Sequence, residues 1–202
     1  MKKLIILLLT IMCAGCTIVR IDTNSIDNII DVVLSKDNTL FNKIGKGYKY
    51  YIPRGVSYID TDKYNDILYS NGNHYYLYID TISYYYNVEK DYVVNPNAYY
   101  SRSIDINNKK GYLEINKQED DNYFVEYMYN YAKIEAIVPF KDIEEVVLNA
   151  TYILSTIKFN SNVIDLMLDE EFLVSEEKYD IFTSKQETDD FLKLEESETE
   201  WV

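Results

Sequence analysis

The sequence predicts an α+β fold: an antiparallel β-sheet meander with an N-terminal helix and a late amphipathic helix packed on it. Three observations carry this expectation. Apolar residues recur at helical spacing in two segments that bracket the middle of the chain. Between them, β-prone runs rich in Tyr, Ile and Val are punctuated by turns containing Asn, Asp and Gly. No internal repeat with a period of about 20 to 50 residues is visible, which argues against a solenoid or propeller.

In the first helix, Ile26, Ile29, Ile30, Val33 and Leu34 fall on one face. Thr23, Asn24 and Ser25 are cap candidates, and Asp27 lies in the first turn, where a negative charge suits the helix dipole. The helix is expected to end near Ser35 to Asn38. A first strand over 47–53 is stopped by Pro53-Arg54-Gly55. Strands over 66–69 and 74–86 flank Ser70-Asn71-Gly72-Asn73, and Asn-Gly between β-prone runs is a strong hairpin signal. The second arm has two interleaved faces, of which Leu77 and Ile79 mark the core side. Residues 89–98, with Asn95-Pro96, form a loop. Strands over 99–106, 111–116 and 123–138 continue the meander, with turns at 107–111 and 119–122. The stretch 123–138 is too long for one typical strand. Asn130 is therefore expected to mark a turn between 124–129 and 132–138. A helix over 141–157 follows, with Ile143, Val146, Val147, Ala150, Ile153, Leu154 and Ile157 as its stripe and Asp142, Glu144 and Glu145 near its positive end. Asn160-Ser161-Asn162 breaks it, and Ser161 is placed to cap a further turn or two through Leu168.

The N-terminus carries a different signal. Lys2 and Lys3 precede the largely apolar run Leu4 to Ala14, within signal-peptide range and short of the roughly 20 residues that a spanning helix needs. The run closes with Cys13-Ala14-Gly15-Cys16, small residues directly before a cysteine. This order resembles the lipobox-type signal peptide of bacterial lipoproteins, with Cys13 standing where such segments usually carry Leu. The resemblance implies that residues 1–15 are removed, that Cys16 is lipidated as the new first residue, and that the protein sits on the extracytoplasmic face of a cell membrane. An ordinary secretory signal or an uncleaved anchor would also fit the apolar run. Both cysteines lie in this segment, so the mature domain has no disulfide, thiol nucleophile or cysteine metal ligand.

The expected organisation is signal peptide 1–15, lipidated tether 16–21, globular domain 22–168 and an acidic, partly disordered tail 169–202. The net charge is −14, and the tail supplies most of it, with 13 acids against 3 bases. No basic run stands out, so nucleic acid is not expected as a partner. The 22 tyrosines fit an AT-rich coding bias and strand propensity, and equally a binding face, since tyrosine offers contact area at low entropic cost.

Tyr48-Lys49-Tyr50-Tyr51-Ile52-Pro53-Arg54-Gly55 and Ile153-Leu154-Ser155-Thr156-Ile157-Lys158-Phe159 resemble the opening strand and final helix end of PsbP/Mog1-like domains. The resemblance spans about residues 47–160. It implies a central antiparallel sheet with helices packed on it and a binding or assembly role, with no catalytic residue to carry over.

The candidate sites are few. His74 is the only histidine and sits beside a hairpin turn, so it is read as an exposed turn residue; a Ser-His-Asp triad would need it as base. Asp60-Thr61-Asp62 and Glu119-Asp120-Asp121-Asn122 cluster oxygens without a calcium-loop pattern and are read as solvated loop charge. Glu114, Glu126 and Glu135 fall on different strands and could converge as the paired carboxylates of a glycosidase, though surface acids is the plainer reading. The runs Tyr75-Tyr76-Tyr78, Tyr84-Tyr85-Tyr86 and Tyr99-Tyr100 could stack on sugars or cover a partner, with alternation sending half of each run inward. No catalytic, cofactor or metal residue is assigned. The expectation is a membrane-anchored, non-enzymatic binding or assembly lipoprotein. Its partners would be the membrane, through the lipid anchor, and an envelope protein or small ligand. An envelope hydrolase acting on glycan through those carboxylates is the alternative.

Overall fold

The computed structural model describes residues 21–62, 65–89 and 91–169. The expected signal peptide over 1–15, Cys16, nearly all of the expected tether and the residues beyond Asp169 lie outside the described residues. The architecture is α+β, as the patterning predicts.

Helix α1 (Ile26–Leu34) is capped by Ser25, whose hydroxyl accepts from the Asn28 amide. It buries Ile29, Ile30, Val33 and Leu34, four of the five predicted stripe residues. The main sheet has seven antiparallel strands in the order β3-β4-β5-β9-β8-β7-β6. They are β3 (Ser57–Asp62), β4 (Asn65–Ser70), β5 (Asn73–Ile79), β6 (Tyr100–Ile106), β7 (Lys109–Lys117), β8 (Asn122–Tyr129) and β9 (Ala132–Pro139). Two meanders, β3-β4-β5 and β6-β7-β8-β9, thus join along the β5–β9 pair. A small second sheet pairs β1 (Lys43–Ile44), β2 (Tyr48–Tyr50) and β10 (Lys158–Phe159) in the order β1-β2-β10.

Three two-residue loops fix the register of the hairpins. Asn71-Gly72, Asn107-Asn108 and Asn130-Tyr131 all have positive φ at both positions. That is the type I′ geometry whose twist matches the flanking strands. The turn expected at Asn130 is therefore present. Gly111 has a separate role. A Cβ there would lie 2.1 Å from the Met128 carbonyl oxygen, so β7 and β8 approach at a point that admits no side chain.

Helix α3 (Ile143–Ser155) follows a 3₁₀ turn at Phe140–Asp142 and packs with α1 on one face of the sheet. Between them lie Leu68, Tyr75, Leu77, Leu113, Ile115, Val125, Tyr127, Ile134, Ala136 and Val138, while Val146, Val147, Ala150, Ile153 and Leu154 are buried from the helix side. The small sheet docks through Tyr50, whose hydroxyl donates to buried Asp66 at 2.6 Å. The last helix, α4, spans Ser161–Asp169.

Two elements differ from the sequence expectation. The arm expected over 74–86 ends as a strand at Ile79, and Thr81–Tyr85 forms the short helix α2. The cause is Asp80, whose carboxylate accepts from the Ser83 amide and caps the helix. The segment Asp60-Thr61-Asp62, expected as loop, belongs to edge strand β3 beside an irregularity between Tyr58 and Asp60. Edge strands tolerate such charge because one flank stays in water.

Candidate functional site: a carboxylate row on the second sheet face

The side of the sheet opposite α1 and α3 is built from the alternate residues of each strand, so its composition is set by what lies between the core positions. Register places Ser101, Glu114, Glu126, Glu135 and Tyr76 in one row across β6, β7, β8, β9 and β5. The neighbouring row holds Ser103, Tyr112, Met128, Lys133 and Tyr78. Directly opposed residues have Cβ atoms about 5 Å apart. The three glutamates considered as a convergent set are therefore immediate neighbours.

They are not surface acids. Glu114, Glu126 and Glu135 are 2%, 0% and 4% exposed, and Lys133 is 1% exposed. Burial of a charge is costly unless it is paired and hydrogen-bonded; Glu114 and Glu126 accept hydrogen bonds, while Glu135 has the Lys133 ion pair and its Oε1 lacks a well-directed hydrogen bond. The Lys133 ammonium lies 2.6 Å from Glu135 and 3.5 Å from Glu126. Tyr112 donates its hydroxyl to Glu126 at 2.5 Å. Glu114 accepts from the Tyr92 hydroxyl, from Asn95 Nδ2 at 3.1 Å and from Asn116 Nδ2 at 2.9 Å. The Lys133 ammonium also sits 5.4 Å from the centre of the Tyr78 ring.

Part of the cover comes from the loop that follows α2. Tyr92 stacks on Tyr112 with ring centroids 4.2 Å apart and planes 7° from parallel. Its hydroxyl also meets Ser101 Oγ at 2.9 Å, and the Asn95 amide donates to the same oxygen at 2.9 Å. Burial, reinforced by the neighbouring carboxylates Glu126 and Glu114, raises the phenol pKa of Tyr112 and Tyr92 well above the usual tyrosine value. Both phenols are held as neutral donors to those carboxylates.

Chemically, adjacent-strand spacing lies close to the roughly 5 Å separation of retaining glycosidases. Spacing alone does not make an acid/base pair. A nucleophile or general base needs a free lone pair facing substrate, and here the carboxylate oxygens face tyrosine hydroxyls, asparagine amides and an ammonium. The arrangement acts as a polar layer that fastens the 91–99 loop to the sheet.

The other candidates are placed as follows. His74 is exposed and tilts against Tyr69 at 5.2 Å. Within the cluster at 119–122, Asp120 and Asp121 adopt positive φ in a tight turn, and Lys117 pairs with Asp121 at 2.9 Å. Among the described residues no group of three or more His, Cys, Asp or Glu is arranged to hold a metal ion. Tyr75, Tyr76 and Tyr78 are buried. Tyr84 stacks on Phe159 at 4.0 Å, and Tyr85 donates to Asp165 at 2.5 Å. Tyr86 and Tyr99 are exposed, on separate elements. The tyrosine runs therefore spend most of their rings on internal packing.

Sequence reasoning missed Lys133, Tyr92, Tyr112, Asn95 and Asn116. The available signal was Lys133 and Glu135 alternating with Ala132, Ile134 and Ala136, which placed opposite charges two residues apart on one face of a strand.

No protein-family model matches the chain, and no curated protein or solved structure matches it. Among the described residues no helix is long and apolar enough to cross a membrane.

Proposed function

We propose that this chain is a lipid-anchored protein of the extracytoplasmic membrane face whose α+β domain serves as a non-enzymatic binding or assembly module. The observation that supports the non-enzymatic part is the near-complete burial of Glu114, Glu126 and Glu135, with Glu114 and Glu126 accepting from tyrosine and asparagine donors and Glu135 paired with the Lys133 ammonium. The anchor rests on Cys13-Ala14-Gly15-Cys16 after a basic start and a short apolar run. Two acyl chains on one cysteine give stable attachment, since each buried CH₂ contributes about 0.8 kcal/mol and a single chain holds only marginally. The PsbP/Mog1-like resemblance agrees with this reading, because it implies a sheet-and-helix domain without catalytic residues.

Cys16→Ala tests the anchor. The wild type is expected in the membrane fraction and the variant in the soluble fraction or as uncleaved precursor. A variant cleaved to normal size that stays membrane-bound contradicts the reading.

The converging carboxylates favour one second reading, an envelope glycan hydrolase. Purified protein incubated with cell-wall glycan separates the two. The module reading expects no release of reducing ends. Release by wild type that Glu126→Gln abolishes, with the variant still folded, establishes the hydrolase instead.

A further inference from the structure

Residues 38–59 contain Lys43, Lys46, Lys49 and Arg54 and no acid, in a chain of net charge −14. The fold turns this stretch into a β1–β2 hairpin within the small three-stranded sheet. β1 and β2 are joined through Gly45-Lys46-Gly47, with the Gly45 amide donating to the Tyr48 carbonyl at 3.0 Å. Gly47 has φ +79°, and a Cβ there would lie 2.6 Å from the Ile164 side chain, so the turn is pressed against α4 and held in shape. The hairpin carries large apolar side chains outward: Leu40 is 57% exposed, Phe41 48% and Ile44 71%. Lysines are interleaved with them. Lys49 lies opposite Ile44 in the β1–β2 register, and its ammonium sits 3.9 Å from the centre of the Phe41 ring. Lys43 sits 3.2 Å over the ring of Tyr58.

Exposed apolar residues on a rigid hairpin, ringed by lysines, fit an interface in which a nonpolar layer lies just beneath a layer of negative charge. We infer that the 40–49 hairpin is a membrane-docking element that inserts Leu40, Phe41 and Ile44 at the acyl boundary of an anionic bilayer, with Lys43, Lys46 and Lys49 at the headgroups. The inference rests on the lipid-anchor reading. Ile21 is already packed against the core, and it lies five Cα-to-Cα steps from Cys16, with four residues between them. At full extension they span about 18 Å. The domain is thus confined within reach of the bilayer at high effective concentration, so a patch too weak to recruit a free protein suffices to orient a tethered one.

The test uses the full chain, extracted from membranes and reconstituted in vesicles. Ile44→Cys provides a labelling site for an environment-sensitive fluorophore, because the mature chain has no other unmodified thiol under the anchor reading. His74→Cys, at an exposed position on another hairpin, serves as control. Brominated acyl chains in mixed phosphatidylcholine–phosphatidylglycerol vesicles should quench the probe at position 44 and not at 74, and phosphatidylcholine alone should quench neither. Neutralising three lysines at about 1 kcal/mol each should lower the docked-to-undocked ratio on the order of a hundredfold in Lys43→Gln/Lys46→Gln/Lys49→Gln. Thermal unfolding of each variant checks that the domain is intact, and Leu40→Ser, at a mostly exposed site that leaves the label at position 44 in place, gives a second variant expected to weaken docking without unfolding. Protein that floats with vesicles while position 44 stays unquenched overturns the docking inference and leaves the anchor standing. Protein that floats with neither vesicle overturns both.

Discussion

Lys133 is the residue on which the second sheet face turns. Its ammonium is the cation set between Glu126 and Glu135, and all three side chains are almost wholly removed from water. Removing one partner from such a set leaves uncompensated buried charge, which typically costs about 3–5 kcal/mol. Lys133→Ala should therefore lower unfolding free energy by roughly that amount in urea titration. The triple variant Lys133→Met/Glu126→Gln/Glu135→Gln, which removes the charges together, should lose much less. Equal losses in the two would show that the ion pairs are incidental to stability.

The tyrosines carry a second residue-scale consequence. Burial raises the Tyr75 and Tyr129 phenols to about 12 each, and burial together with Asp66 pushes Tyr50 higher still. In the unfolded chain these phenols ionise near pH 10. Between those limits the folded state keeps protons that the unfolded state releases, so the slope of stability against pH is negative. The tyrosine contribution is complete below about pH 10 and is lost progressively as pH rises through about 12. Denaturant midpoints measured across this alkaline range should fall steadily, in step with phenolate absorbance. A flat midpoint would mean that the buried phenols ionise as readily folded as unfolded.

At the scale of elements, the late helix and the β7–β8 pair each offer a direct test of packing. Leu154 on α3 is fully buried against the sheet, so Leu154→Ala should cost about 2–5 kcal/mol through lost transfer energy and the cavity left behind. Gly111→Ala acts in the opposite way, by forcing strands apart. An added methyl meets backbone rather than a yielding side chain, so a loss of at least about 1–3 kcal/mol is expected from thermal melts. Helices α1 and α3 were legible in the sequence because their apolar stripes keep the helical period over two or more turns. Three of the hairpins were legible, from Asn71-Gly72, from the turn at 107–111 and from Asn130, where the turns demand positive φ. Strand β3 was not, because its acids at 60 and 62 match the composition of a loop, and only pairing with β4 makes it a strand. Helix α2 was hidden inside a tyrosine run whose alternation suits a strand, and a single cap at Asp80 decided against it. The glutamates could be named but not placed. Which residues face each other depends on loop length and turn type together, and a slip of one residue would have sent them to the other face.

Across the whole molecule, charge is unevenly distributed. The charged residues of the 38–59 stretch are all basic, the buried row is internally compensated in part by Lys133, and most of the net −14 belongs to residues 169–202. An acidic chain with a basic, apolar hairpin is suited to resting on an anionic surface in one orientation, leaving the remaining faces to partners. That picture stands on the anchor at Cys16. The measurement that tests it most directly is the intact mass of the protein extracted from membranes. A lipid-anchored protein should give a chain beginning at Cys16, lacking residues 1–15 and heavier than its sequence by a thioether-linked diacylglycerol, with or without an amide-linked acyl chain. A mass matching the unprocessed chain, or a cleaved chain with an unmodified Cys16, would contradict it.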